Sequence, residues 1–167
     1  WYTVSCGGTA AGTGTSISVD PASTTTYYVR GEGGCVSSGS CGSATITIDQ
    51  NPTTAAAGDN QDVCGTTATL AGNTPSVGNG TWSLASGSGT ITNVNSPNSG
   101  VTALGYGANT FEWEITNGVC PSSTDQVVIT AYENPTTAAA GDDQDVCGTT
   151  ATLAGNTPSV GNGTWSL

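Results

Sequence analysis

Residues 51–84 read NPTTAAAGDNQDVCGTTATLAGNTPSVGNGTWSL, and residues 134–167 repeat this stretch with one change, Asp143 in place of Asn60. The second copy begins 83 residues after the first (134 − 51). A period of this length is that of one small domain, because most solenoid repeats are only about 20–50 residues long. The repetition therefore predicts a tandem array of domains.

The repeat divides the chain into three parts. The second copy stops after its GTWSL segment, before counterparts of the strands that follow Leu84 in the first copy. Residues 24–48 (TTTYYVRGEGGCVSSGSCGSATITI) resemble residues 109–129 (NTFEWEITNGVCPSSTDQVVI), with a strand, a glycine-containing turn and a second strand. We expect 1–49 to be the C-terminal part of one domain, 50–132 a complete repeat, and 133–167 the N-terminal part of the next.

The clearest strand pattern lies in the back half of the repeat. Over residues 111–115 (FEWEI), three apolar side chains point to one face and two glutamates to the other. Asn117-Gly118 predicts a hairpin turn, and residues 127–130 return as the next strand. This pairing predicts an antiparallel hairpin with one face in the core.

The front half has shorter patterns. Residues 53–57 predict an edge strand and residues 58–60 a turn. We expect Leu70, Trp82 and Leu84 to point inward. Strand segments roughly 8–12 residues apart, punctuated by Gly, Asn and Pro, favour a Greek-key sandwich of about seven strands. We therefore predict an all-β chain of tandem β-sandwich domains with no helix.

Six cysteines are expected to stabilise the small domains. In a loop-rich, repetitive chain they predict disulfides and an extracellular setting. The complete repeat holds Cys64 and Cys120, so an intradomain bridge is the simplest pairing, and a bridge between neighbouring domains is the alternative. Cys147 repeats Cys64. Pairing stays open for the remaining three, which are Cys6, Cys35 and Cys41.

Charge excludes several classes of function. The chain has 12 acidic residues against one base, Arg30, and no histidine, for a net charge of −11. Nucleic acid is an unsuitable partner because phosphate binding needs clustered Lys and Arg. Nothing approaches the ~18–20 apolar residues of a membrane span. No Ser/His/Asp set exists, and Glu112 with Glu114 is best interpreted as a solvated strand face. We expect no enzyme activity.

Two kinds of binding site stay open. Asp59, Asp62 and Asp125 lie in predicted turns and offer the hard oxygen ligands that Ca²⁺ prefers, although no EF-hand spacing is present. The alternative is that they are solubilising turn residues, and the Asn60/Asp143 exchange indicates a tolerant surface position. Calcium is the one cofactor we consider. Sugar could contact aromatic side chains outside the predicted core, namely Trp1, Tyr2, Tyr27, Tyr28 and Tyr106.

Several segments resemble a known group of proteins. AGDNQDVCGTTATLAG (57–72), GNGTWSL (78–84), ANTFEWEITNGVC (108–120) and STDQVVI (123–129) are similar to Ig-like and PKD-like repeats of giant Bacteroidota surface proteins. WYTVSCGGT, GTGTSISVDP and TTTYYVRGEGGC in the first 35 residues resemble a sister repeat. The group includes gliding-motility adhesins. The resemblance implies type IX secretion, a cell-surface location and no catalytic residues.

These observations predict a structural role. Near-identical successive domains fit a stalk or spacer in a long bacterial surface adhesin or filament, since a spacer needs length and uniform stability. Alternatives are a self-assembling extracellular fibre or sheath, with residues 53–57 as a pairing edge, and an array of carbohydrate-binding modules. The expected partners are neighbouring repeats, other copies of the chain, or surface polysaccharide.

Overall fold

The computed structural model describes residues 1–32 and 39–167, and it falls into two compact units, Trp1–Gln50 and Asn51–Leu167. The described residues contain no helix. Cys35 lies outside them, so its pairing stays open. The all-β class predicted from the sequence is confirmed for this part of the chain.

The first unit holds a four-stranded antiparallel sheet. Its strands are β1 (Tyr2–Thr3), β2 (Thr9–Ala10), β3 (Thr25–Val29) and β4 (Gly42–Ile46), in the order β2-β1-β3-β4. A disulfide joins Cys6 to Cys41, 35 residues along the chain. The expected disulfide-bonded character is therefore found in this unit.

The second unit holds a two-sheet sandwich of seven strands within residues 51–132. They are β5 (Gln61–Cys64), β6 (Ala68–Thr69), β7 (Asn79–Ser86), β8 (Thr90–Ile91), β9 (Gly100–Thr102), β10 (Gly107–Thr116) and β11 (Ser123–Tyr132). One sheet has the order β5-β11-β10-β7 and the other β6-β9-β8. Strands β5 to β8 alternate between the two sheets, so each of the three connections between them crosses from one sheet to the other.

The sandwich core lies between these two sheets. Trp82 of β7 and Trp113 of β10 are fully buried, with ring centroids 4.9 Å apart. Gly80 faces the Trp113 ring so closely that a Cβ there would overlap it. The buried cluster consists of Ala55, Ala57, Leu70, Trp82, Val101, Leu104, Phe111, Trp113, Ile115, Val127, Ile129 and Ala131. The inward positions predicted for Leu70, Trp82 and the FEWEI strand are confirmed.

Two local predictions are wrong. Leu84 is 40% exposed, because β7 is the edge strand of its sheet and its register against β10 shifts at Thr110/Phe111. Residues 53–57 are not a strand. They have no strand ladder, and the amide groups of Ala55, Ala56 and Ala57 donate to side-chain oxygens instead.

Candidate functional site

The front segment of the repeat runs parallel to its last strand. The Ala55 N–H donates to Ser123 Oγ at 2.9 Å, and the Ala57 N–H donates to Asp125 Oδ2 at 2.7 Å. Both bonds join residues 68 positions apart. The backbone ladder of β5 with β11 continues at the same spacing, from Gln61 opposite Ile129 to Cys64 opposite Tyr132. We call residues 55–64 together with residues 123–132 the parallel seam.

Asn60 belongs to this seam. Its Oδ1 accepts the Val128 N–H at 2.8 Å, at the point where side-chain contacts give way to the backbone ladder. An aspartate carboxylate offers the same acceptor, so the exchange to Asp143 in the second copy keeps the group that the seam requires. The exchange therefore does not indicate that this position accepts any side chain.

The seam places the two cysteines of the repeat at opposite ends. Cys64 ends β5 beside Tyr132, whereas Cys120 lies in the turn that precedes β11. Ten residues of β11 span about 33 Å, and a disulfide needs Cα atoms within about 7 Å. The simplest pairing inferred from the sequence is thus not found, and Cys64 is an exposed thiol. Participation of Cys64, Cys120 and Cys147 in disulfides stays a prediction.

The candidate calcium ligands are not brought together. Asp59 and Asp62 are exposed, and Asp125 Oδ2 is occupied by the Ala57 N–H. Within residues 1–32 and 39–167, no three side chains of His, Cys, Asp or Glu are grouped at metal-binding spacing. Asp125 has a structural role that explains its place in the sequence, and calcium binding stays a prediction.

The first unit brings two of the candidate aromatic residues to one cavity of about 290 Å³. Trp1 and Tyr2 line it together with Arg30 and Glu32. The Arg30 guanidinium lies 5.0 Å from the Tyr2 ring centroid, and its Nε–H donates to Glu32 Oε1 at 2.7 Å. The Tyr2 hydroxyl donates to the same oxygen. These two hydrogen bonds, the one from Tyr2 first, lower the pKa of the Glu32 carboxyl.

The remaining aromatic candidates do not join that cavity. Tyr27 is buried, Tyr28 is half-buried, and Tyr106 is exposed in the second unit. Sequence reasoning missed Arg30 and Glu32 as members of the site. The sequence does hold a signal for them, because Arg30 is the one base of the chain and lies two residues before Glu32.

Glu112 and Glu114 lie on the outward face of β10, as predicted. Each is half-buried, and Glu112 Oε2 accepts the Gln126 side-chain amide at 2.8 Å. Neither carboxyl lines the cavity beside Trp113 or the one beside Trp1 and Tyr2. This arrangement is that of a strand surface.

Comparison with known proteins gives one structural likeness to report. No protein-family model matches the chain, and no curated protein sequence matches it. The solution structure of the PKD domain from KIAA 1837 protein is similar over 55% of this chain and 92% of that domain, at 20% identity and a TM-score of 0.43. In the described residues, no helix has the length and apolar character needed to cross a bilayer. The case for a function therefore rests on this chain's own residues.

Proposed function

We propose that this chain is a repeat segment of a long extracellular surface adhesin or filament, in which the repeats act as a stalk. The observation that carries the proposal is the parallel seam. Because the first segment and the last strand of the repeat run in the same direction, the chain enters at one end of the sandwich and leaves at the other. Copies joined in series then add their lengths.

The seam also gives the expected length per repeat. From Pro52, near the entry to the repeat, the chain runs 12 residues to Cys64, which is level with Tyr132 (64 − 52). At the rise of an extended strand, 12 residues span about 40 Å. Only Glu133 and Asn134 separate β11 from Pro135, which restricts the linker.

The extracellular part of the proposal is supported by the Cys6–Cys41 disulfide. A net charge of −11 makes neighbouring chains repel each other and stay dispersed. Membership of a Bacteroidota gliding-motility system and type IX export rest on the resemblance described above.

Immunogold electron microscopy of the producing cells, with an antibody raised against residues 50–132, tests the stalk directly. We expect label strung along thin projections. A continuous coat of label, or label only in the medium, would contradict the proposal. As a second measure, purified arrays of two, four and six repeats should lengthen in proportion to repeat number, by about 40 Å each.

A second candidate function is carbohydrate binding by the first unit. The cavity lined by Trp1, Tyr2, Arg30 and Glu32 offers aromatic faces beside polar groups, which is the composition that sugar sites use. Glycan-array binding by the full chain, lost in Tyr2→Ala and kept in Tyr106→Ala, would support it. Absence of binding at millimolar sugar would contradict it.

No contact among the described residues favours the third candidate, a self-assembling fibre or sheath. The edge predicted at residues 53–57 has four of its five amide groups occupied, and two of these bonds are from Thr53 N–H to Val77 O and from Ala56 N–H to Asn73 Oδ1. The amides of Ala55 and Ala57 are held by the seam. An incoming strand would find these donors already bound.

A further inference from the structure

We infer that the short linker between repeats prevents misfolding, because it keeps the β10–β11 hairpin of one repeat from pairing with the start of the repeat that follows. This effect depends on the tandem sequence, whether or not the repeats act as a stalk. It goes beyond the proposed function by giving the linker a task during folding.

The hazard is that both copies of the repeated segment offer the hairpin the same surface. In the first copy, Trp82 packs on Trp113 of β10, and a Cβ at Gly72 would lie within 3.2 Å of both rings. In the second copy, the counterparts Gly155 and Trp165 line a cavity of about 520 Å³. The hairpin lies between the two copies along the chain, so both can compete for it, and misassembly of neighbouring repeats is a known failure of such chains.

The parallel seam determines how far the second copy would have to reach. Ala55 N lies 2.9 Å from Ser123 Oγ, so the counterpart Ala138 would have to occupy the same place. Ser123 and Tyr132 are the ends of β11, nine residues apart (132 − 123), which is about 30 Å at the rise of a strand. Six residues lead from Tyr132 to Ala138 (138 − 132), and they span at most about 22 Å. The linker is therefore too short by about 8 Å even when fully extended.

The direction of the strands adds to this shortfall. The second copy would have to run parallel to β11, as β5 does, and the chain would first have to cross back along the whole strand. Parallel strands need a crossover of about a dozen residues or more, whereas antiparallel strands can be joined by two. Five residues, 133–137, lie between Tyr132 and Ala138. The parallel seam and the short linker thus act together.

A hairpin paired with the second copy would lack the front of the seam. Ala57 is fully buried in the core, and its N–H donates to Asp125 Oδ2 at 2.7 Å. Its counterpart Ala140 belongs to the same segment as Ala138, which the linker holds away from β11. The core would then stay open where Ala55 and Ala57 close it in the native pairing. The native pairing is therefore favoured although the two copies are almost identical in sequence.

The test lengthens the linker of the full chain by about a dozen flexible Gly and Ser residues, inserted between Glu133 and Asn134. Gly80→Val disables the first copy, because a Cβ at Gly80 would overlap the Trp113 ring. With the long linker, we expect the hairpin of this variant to pair with the second copy, so that residues 144–147 become protected from hydrogen exchange. With the native linker, the same substitution should leave both copies unprotected.

Gly163→Val is the matched control, since Gly163 is the counterpart of Gly80. A Cβ at Gly163 would meet nothing within 4 Å in this structure, so the change acts only when the hairpin packs there. Added to the long-linker Gly80→Val chain, it should abolish the protection of residues 144–147. The first unit, Trp1–Gln50, is the internal reference in every sample.

A second variant does not depend on disabling the first copy. With the long linker alone, the hairpin should divide between the two copies, so residues 61–64 should show a protected and an unprotected population where the native chain shows one. Mass spectrometry distinguishes the peptides of the two copies through Asn60 and Asp143.

Two results would overturn the inference. Protection of residues 144–147 in the Gly80→Val chain with the native linker would mean that the hairpin pairs with the second copy without added residues. Absence of protection of these residues in both long-linker chains would mean that linker length does not separate the copies.

Discussion

Residues 51–84 and residues 134–167 have nearly the same sequence and different structures. In the first copy this sequence forms β5, β6 and β7, and Trp82 is fully buried. In the second copy it forms no strand, and Trp165, the counterpart of Trp82, is 57% exposed. The difference is that β10 and β11 cover the first copy, whereas the second has no such hairpin in this structure.

Several hydrogen bonds made within the segment itself are nevertheless the same in both copies. Asn73 Nδ2 donates to Thr54 O at 2.9 Å, and Asn156 Nδ2 donates to Thr137 O at 3.0 Å. Thr53 and Thr136 likewise each donate their N–H to a valine carbonyl at 3.0 Å. These bonds join residues about 20 positions apart, and both partners lie within the repeated segment. The strands depend on residues after Leu84, because β5 and β7 pair with the hairpin and β6 pairs with β9.

Supplying that hairpin should remove the difference. With residues 85–132 appended after Leu167, we expect Trp165 to become buried and the second copy to unfold cooperatively. Its free energy of unfolding should be about 4–12 kcal/mol, typical of a domain this size. Tryptophan fluorescence and urea titration measure both. Appending the same residues in scrambled order is the control, and a Trp165 that stays exposed would contradict the explanation.

Trp113→Ala should make the first copy resemble the second. The change removes a fully buried ring that packs on Trp82 and faces Gly80, so a loss of about 3–5 kcal/mol is expected. Urea unfolding of residues 51–133 provides the measurement. Tyr106→Ala, at a 58% exposed position, should change the free energy by less than about 0.5 kcal/mol. Equal effects of the two changes would be inconsistent with this core.

Asn73→Ala and Asn156→Ala compare the local bonds in two contexts. Asn73 binds Thr54 O, the Ala56 N–H and the Trp113 indole N–H, so its loss should cost about 1–3 kcal/mol. Asn156 makes the first two bonds only, in a segment with no buried ladder. We expect its loss to leave the unfolding transition of the full chain unchanged. A similar shift from both would mean that the second copy is already part of a cooperative unit.

Asn60→Ala and Asn60→Asp test the one difference in sequence between the copies. Alanine removes the acceptor for the Val128 N–H and should cost about 0.5–1.5 kcal/mol. Aspartate keeps an oxygen there and should stay within about 0.5 kcal/mol of the parent. Thermal unfolding at neutral pH distinguishes them. If alanine were tolerated as well as aspartate, Asn60 would have no role in the seam.

Cys64→Ser should have the smallest effect. In residues 51–133 alone, Cys64 has no partner within disulfide range, so the melting temperature should not change measurably. An intradomain bridge would instead predict a loss of about 2–5 kcal/mol. Calorimetry of oxidised samples, with Cys120→Ser in parallel, decides between the two.

The sequence predicted the parts of this fold that alternation encodes. The FEWEI strand, its hairpin turn and the inward Leu70 and Trp82 follow from a period of two and from turn residues. Leu84 continues the same alternation and yet is exposed, because alternation specifies a face of the strand but not whether another sheet covers it.

The parallel seam could not be predicted in that way. Ala55 and Ala57 bind Ser123 and Asp125 through side-chain oxygens, and polar residues in a turn-rich chain have many equivalent uses. The seam decides which end of the domain carries each cysteine. Cysteine spacing alone therefore favoured a pairing of Cys64 with Cys120, which the seam sets at opposite ends of β11.

In the proposed stalk, the same seam determines how tension would load the repeat. Tension applied through the two linkers draws residues 55–64 toward one end and β11 toward the other, parallel to the strands. The bonds between them then share the force at once and must break together, whereas a peeling geometry would break them one at a time. A force along the proposed stalk would therefore meet its greatest resistance at the first and last segments of every domain.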